Sequence, residues 1–169
     1  MQTFIPETLY ADCAEVLDRQ RLGKQRVECL QIMNVLCGVA TKSGWSNHPA
    51  VTMWRGWEYG LMMYGQAICD EWTGRGYMDT CSKKIRESFY YKHGSIPFEM
   101  TMYPDWWYDL SVHRSHQSNL LRKDYNHYSV FYSDVPDDLE YVWPPGRYAV
   151  LDVRYDIEHF IANINRDKE

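Results

Sequence analysis

A chain of 169 residues supports one well-packed domain, and no Gly/Ser-rich or Pro-rich stretch divides it in two. The segment Met1 to Pro6 lacks the basic start and apolar core of a secretory leader, and no apolar run approaches membrane-spanning length, so a soluble cytoplasmic protein is expected; five cysteines without a C-x-x-C pair argue against a zinc knuckle or a disulfide framework and read as small buried residues. The formal charge of −5 argues against a nucleic-acid partner only if it is evenly spread, yet residues 134–169 hold nine acids against four cations, which leaves the body neutral overall with local basic clusters.

In chain order, Val16, Leu17, Leu22, Val27, Leu30, Met33 and Leu36 recur three to five residues apart and predict a helix over about 12–37, bent at Gly23 and stopped by Gly38. Pro49 suits a first helical turn, and Trp54, Trp57, Leu61, Tyr64, Ile68 and Trp72 form a stripe that predicts a second helix over about 49–73. Gly56 and Gly60, one turn apart within it, imply close approach by another element such as the first helix. A shorter helix is expected over 80–92, and Pro97 and Pro104 mark a loop over 94–105. Asp105 is placed to cap a third main helix over 106–123, whose basic end, Arg122-Lys123, suits the helix dipole. Residues 134–138 and 143–146 read as ordered loop. The tail alternates as a strand over Arg147–Tyr155 and then carries a short amphipathic helix over Asp156–Asn165.

The densest chemistry lies between Leu17 and Glu28, where Arg19, Arg21, Lys24 and Arg26 precede a single acid. On a helix Arg21, Lys24 and Glu28 share one face, which places a carboxylate inside a phosphate-binding patch. A solvated face with an ordinary Lys24–Glu28 pair, contributing about 0.2–0.5 kcal/mol, explains the same pattern. His113 and His116 stand three apart on the third helix, but no further ligand completes a metal site there. In Ser115-His116-Gln117-Ser118-Asn119 the density of short polar side chains is unusual for a helix interior and fits either contacts to DNA or a buried polar network. His48 precedes Pro49 and reads as a helix-start residue, a position near which anions bind. Most of the tryptophans fall on helical stripes and read as core, while exposed aromatics offer about 1–3 kcal/mol per stacked base. No glycine-rich phosphate loop or nucleophile elbow is present.

The order of these segments carries a family resemblance. Met1-Gln2-Thr3-Phe4, Leu17-Asp18-Arg19 through Gly23-Lys24-Gln25-Arg26-Val27-Glu28, His48-Pro49-Ala50-Val51 with Met53-Trp54, Ser115 through Asp124, and Val135-Pro136-Asp137-Asp138-Leu139 with Tyr141-Val142-Trp143-Pro144 together resemble the pyrimidine-dimer DNA glycosylase (phage endonuclease V-like) superfamily, and more closely a bacterial and phage branch of it. The resemblance covers about residues 1–144. It implies a mainly α fold, a compact single-domain helical bundle over 1–145 with long aromatic-rich loops, and an acidic C-terminal extension over 146–169 packed on that domain. It implies DNA as partner, no metal, no redox cofactor and no membrane. The implied chemistry uses the chain's α-amino group as nucleophile at C1′, giving base release, an imine and β-elimination. The implied catalytic set is Met1, Thr3 and Glu28. The implied DNA contacts are Arg19, Arg21, Lys24, Arg26, His48, His116, Asn119, Arg122 and Lys123.

An α-amine titrates nearer neutrality than lysine, so a useful fraction is nucleophilic at physiological pH. A fixed carboxylate stabilises the oxocarbenium-like sugar, and a basic patch with aromatic pockets supports a base drawn out of the stack. In one respect the chain departs from the pattern: dimer-specific enzymes expose a small residue after loss of the initiator methionine, whereas Gln2 is bulky and keeps Met1 in place. An exposed N-terminal glutamine would cyclise and lose its nucleophilicity. The reading from another class is a non-catalytic nucleic-acid or nucleotide-binding protein of the same fold, with a defence-related ligand if the chain is of phage origin.

Overall fold

The computed structural model describes residues 1–40, 44–98 and 100–147. Helices α1 (Tyr10–Glu15), α2 (Arg19–Leu36), α3 (Pro49–Thr52), α4 (Glu58–Gly74), α5 (Cys81–His93), α6 (Leu110–Lys123) and α7 (Tyr125–Tyr128), with a 3₁₀ turn over Asp105–Tyr108, make a mainly α domain. No described helix is long and apolar enough to cross a membrane. The expected tail strand, beyond Arg147, and the tail helix lie outside the described residues.

The break in the first predicted helix falls at Asp18 and not at Gly23. Asp18 has extended backbone and accepts from the Gln20 and Arg21 N–H groups at 2.8 and 3.1 Å, so it caps a new helix. Gly23 instead lets α4 pack closely, because a Cβ there would meet the Trp72 ring at 3.0 Å. The second predicted helix is also divided. Gly56 takes φ 82°, a left-handed conformation that ends the short α3 segment before Glu58 starts α4. Close approach at Gly60 comes from the Met102 carbonyl and the Tyr10 hydroxyl of α1, not from α2. It is Gly65 that admits α2, through Cys29 Sγ. The cap of the third main helix is Asp109, which accepts from Ser111 N at 2.9 Å, while Asp105 lies in the 3₁₀ turn.

α4 packs on α1, α2 and α5, and the core between them holds fully buried Leu17, Leu22, Ile32, Met33, Trp54, Leu61, Tyr64 and Trp107. All five cysteines are buried free thiols, and burial pushes the Cys37 thiol up to about 12.

The N-terminal segment runs through this core. Residues 2–6 are buried yet have no regular secondary structure, so their backbone polar groups must find side chains. Phe4 N donates to Gln25 Oε1 of α2 at 2.8 Å, and Phe4 O accepts from Tyr64 of α4 at 2.8 Å. Ile5 N donates to His116 Nδ1 at 3.4 Å, Ile5 O lies 2.8 Å from His113 Nδ1, and Pro6 O accepts from Gln117 Nε2 at 2.8 Å, all on α6. The polar stretch of α6 is therefore the buried network that secures the N-terminal segment.

Candidate active site

Where that segment emerges, Met1, Gln2 and Phe4 meet one face of α2 and form a cavity of about 440 Å³. Gln20, Arg21, Lys24, Gln25 and Glu28 supply the α2 wall, His48 enters from the start of α3, Lys123 from the end of α6, and Tyr141 and Trp143 close the opposite side.

Glu28 is 6% exposed, and its two oxygens are used differently. Oε1 lies 3.6 Å from the Met1 α-amino nitrogen and 3.6 Å from Lys24 Nζ. Oε2 accepts from Gln25 Nε2 at 2.9 Å, and the same Nε2 donates to Gln2 O at 2.9 Å. The Gln25 carboxamide, fully buried, thus ties the carboxylate to the amine-bearing segment through both of its ends.

Arg21 is fixed rather than free. Its Nη1 pairs with Asp18 Oδ2 at 3.0 Å and its Nη2 donates to Lys123 O at 2.9 Å, which joins the start of α2 to the end of α6. Asp18 also accepts from the Tyr128 hydroxyl at 2.5 Å. Burial alone would raise the Asp18 carboxyl, but the Tyr128 hydrogen bond and the Arg21 backbone and guanidinium outweigh it and hold the carboxyl below its ordinary range. Lys24 and Lys123 are exposed at the cavity rim.

Of the residues expected at the site, Met1, Arg21, Lys24, Glu28, His48 and Lys123 come together. Six others stand elsewhere. Thr3 is fully buried behind the cavity, where its Oγ1 accepts from Trp54 Nε1 at 2.9 Å. Arg19 and Arg26 face the other flank of α2: Arg19 lies over Tyr77, and Arg26 lies over Trp72 at 4.2 Å and pairs with Asp79 at 2.6 Å. His116 is fully buried, and burial together with the neighbouring His113 pulls its imidazole down to about 3, so it stays neutral. Asn119 and Arg122 hold the loop that delivers Tyr141 and Trp143. Asn119 donates to Leu139 O at 3.4 Å, and Arg122 donates to the Asp137 and Leu139 carbonyls, with Ser118 and Ser115 hydroxyls accepting from Leu139 N and Val142 N. His116 and Asn119 are buried, and Arg26 is paired with Asp79 away from the cavity.

Gln25 carries no chemical signal of its own in the sequence, although it lies one turn before Glu28 on the same face. Tyr141 and Trp143 were legible only as parts of a motif, since nothing local says that the loop folds back over α2.

The family model for pyrimidine dimer DNA glycosylase matches residues 1–85 of this chain, half its length. No curated protein and no solved structure matches it. The matched half carries the buried N-terminal segment, the cation run, Glu28 and His48, and it implies a DNA glycosylase function in general with DNA as substrate. The match places the chain in the pyrimidine dimer DNA glycosylase family.

Proposed function

We propose that this protein excises a damaged or modified pyrimidine from duplex DNA, a cyclobutane dimer first among candidates, with the Met1 α-amine as nucleophile and Glu28 as the catalytic carboxylate. The observation that carries this reading is the 3.6 Å separation of the Met1 nitrogen and Glu28 Oε1 at the base of an open cavity rimmed by Lys24 and Lys123.

The neutral amine attacks C1′ as the C1′–N1 bond breaks, and the bonding pair stays with the base as an anion that takes a proton from solvent; the base of a cyclobutane dimer then remains tethered to its neighbour through the cyclobutane ring. One amine proton moves, by way of Glu28, to O4′ as the sugar ring opens, leaving a protonated imine between Met1 and C1′. Loss of a C2′ proton to the same carboxylate then expels the 3′ phosphate by β-elimination. Glu28 stabilises the cationic sugar in the first step, where a fixed charge in a water-poor site has its largest effect. The rim lysines hold flanking phosphates. The aromatic wall of Phe4, Tyr141 and Trp143 accommodates a base drawn out of the stack.

The test is borohydride trapping on a duplex with one abasic site, combined with peptide mass mapping of the adduct. A reduced adduct on the Met1 α-nitrogen is expected. Trapping through a lysine, or no adduct at all, overturns the assignment and favours a binding protein of the same fold.

A further inference from the structure

We propose that His48 is a catalytic residue of this site, donating a hydrogen bond through Nε2 to carbonyl O2 of the departing pyrimidine; this rests on the excision reading above. The orientation of the ring sets its chemistry. His48 Nδ1 accepts from the Ala50 N–H at 3.1 Å, capping α3. A ring nitrogen that accepts carries no proton, so the neutral imidazole has its proton on Nε2, on the far side of the ring. Among the described residues Nε2 makes no hydrogen bond, while the ring lines the cavity beside Met1 and Glu28. Trp45 and Trp143 flank it edge to face, with ring centroids at 5.4 and 6.3 Å, which limits how far the ring can turn.

A second ring proton would meet the Ala50 N–H and place a cation near the Met1 ammonium. Burial and then that ammonium hold the imidazole below its ordinary range, with Glu28 acting in the opposite sense. The group is thus kept as a neutral donor. As C1′–N1 breaks, the bonding pair settles on N1 and O2, and O2 is adjacent to the breaking bond. A donor aimed there stabilises the developing anion in the way an oxyanion hole does, and the proton remains on Nε2 throughout. The helix-start anion site expected from the sequence is not formed, because α3 is four residues long and the ring itself takes the available N–H.

His48→Asn separates this role from a structural one, because the asparagine Oδ1 can cap Ala50 N while its Nδ2 donor, on a shorter side chain, does not reach the position of Nε2. Two duplexes are compared, one with a thymine cyclobutane dimer and one with a preformed abasic site that has no base to release. The expected result is a fall of about 100-fold in the rate of glycosidic cleavage at the dimer, with borohydride trapping on the abasic duplex within about twofold of wild type. Equal losses on both duplexes would show a positioning or folding defect, and unchanged glycosidic cleavage would remove His48 from the chemistry; either overturns the proposal. Wild-type protein that traps on neither duplex overturns the amine reading itself. Trapping on the abasic duplex without excision of the dimer overturns the dimer as substrate, and the role of His48 with it.

Discussion

Gln25 and Glu28 are joined by a 2.9 Å hydrogen bond from Nε2 to Oε2, and the Gln25 carboxamide has four polar partners, one of them the Tyr64 hydroxyl, whose single proton is shared with Phe4 O. Its donors reach Glu28 and Gln2 O, and its oxygen accepts from Phe4 N and Tyr64. Gln25→Leu leaves several of these buried groups unpaired, each at a cost of about 1–3 kcal/mol. The expected outcome is a marked drop in the urea midpoint together with loss of trapping. A midpoint within experimental error of wild type would show that the network is dispensable.

Glu28→Gln keeps size and helix propensity but removes the charge 3.6 Å from the Met1 nitrogen. Base release should fall by about 100- to 1000-fold, with the melting curve close to wild type. Full activity in a well-folded variant would require another carboxylate.

DNA affinity should depend on the cations at the rim and not on the whole basic run. Lys24→Ala and Lys123→Ala are each expected to weaken binding and to flatten its salt slope by roughly one unit, the signature of one lost phosphate contact. Arg26→Ala should leave the slope unchanged, because its charge is already paired with Asp79, and should lower stability instead. A slope change for Arg26→Ala alone would mean that DNA crosses the other flank of α2.

Asp18 and Asp79 link stability to acid pH. Burial opposes the Asp79 carboxylate, yet the Ser82 and Cys81 backbone N–H groups and Arg26 hold its carboxyl below the ordinary range, as Tyr128 and Arg21 do for Asp18. A carboxyl lowered in the folded state contributes stability that is fully present above the ordinary aspartate value of 3.8 and is lost as pH falls through its folded value. Urea midpoints measured at pH 7 and at successively lower pH should therefore fall below about pH 4. In Asp18→Asn the midpoint at pH 7 should be lower and that fall shallower. An unchanged acid profile would remove Asp18 from the linkage.

Local signals in the sequence account for much of the fold and part of the site. The α2 face that carries Arg21, Lys24 and Glu28 follows from spacing alone, and it does line the cavity. The Asp18 cap was also a local signal, but the apolar spacing of Val16, Leu17 and Leu22 runs across the break and masks it. Trp54 and Trp57 mask the Gly56 break in the same way, because both are buried whether or not the helix is continuous. The role of α6 could not be read locally. His113, His116 and Gln117 satisfy backbone groups more than 100 residues away, and no helical periodicity encodes which distant carbonyl a side chain will meet. Arg26 shows the converse limit, since a cation in a basic run looks free until its acid arrives from another helix.

The hydrogen bonds from α6 to Ile5 and Pro6 also set an order of events during synthesis. Ile5 and Pro6, among the first residues made, are among the last to be secured, since their partners at 113–117 leave the ribosome only after more than a hundred further residues. A nascent chain that has completed α2 already carries Glu28 and the Gln25 carboxamide that holds Gln2 O and Phe4 N, whereas Ile5 and Pro6 meet their partners only when α6 docks. Securing of the backbone behind the reactive pair is thereby deferred to the docking of α6, so products truncated before residue 113 lack that half of the clamp.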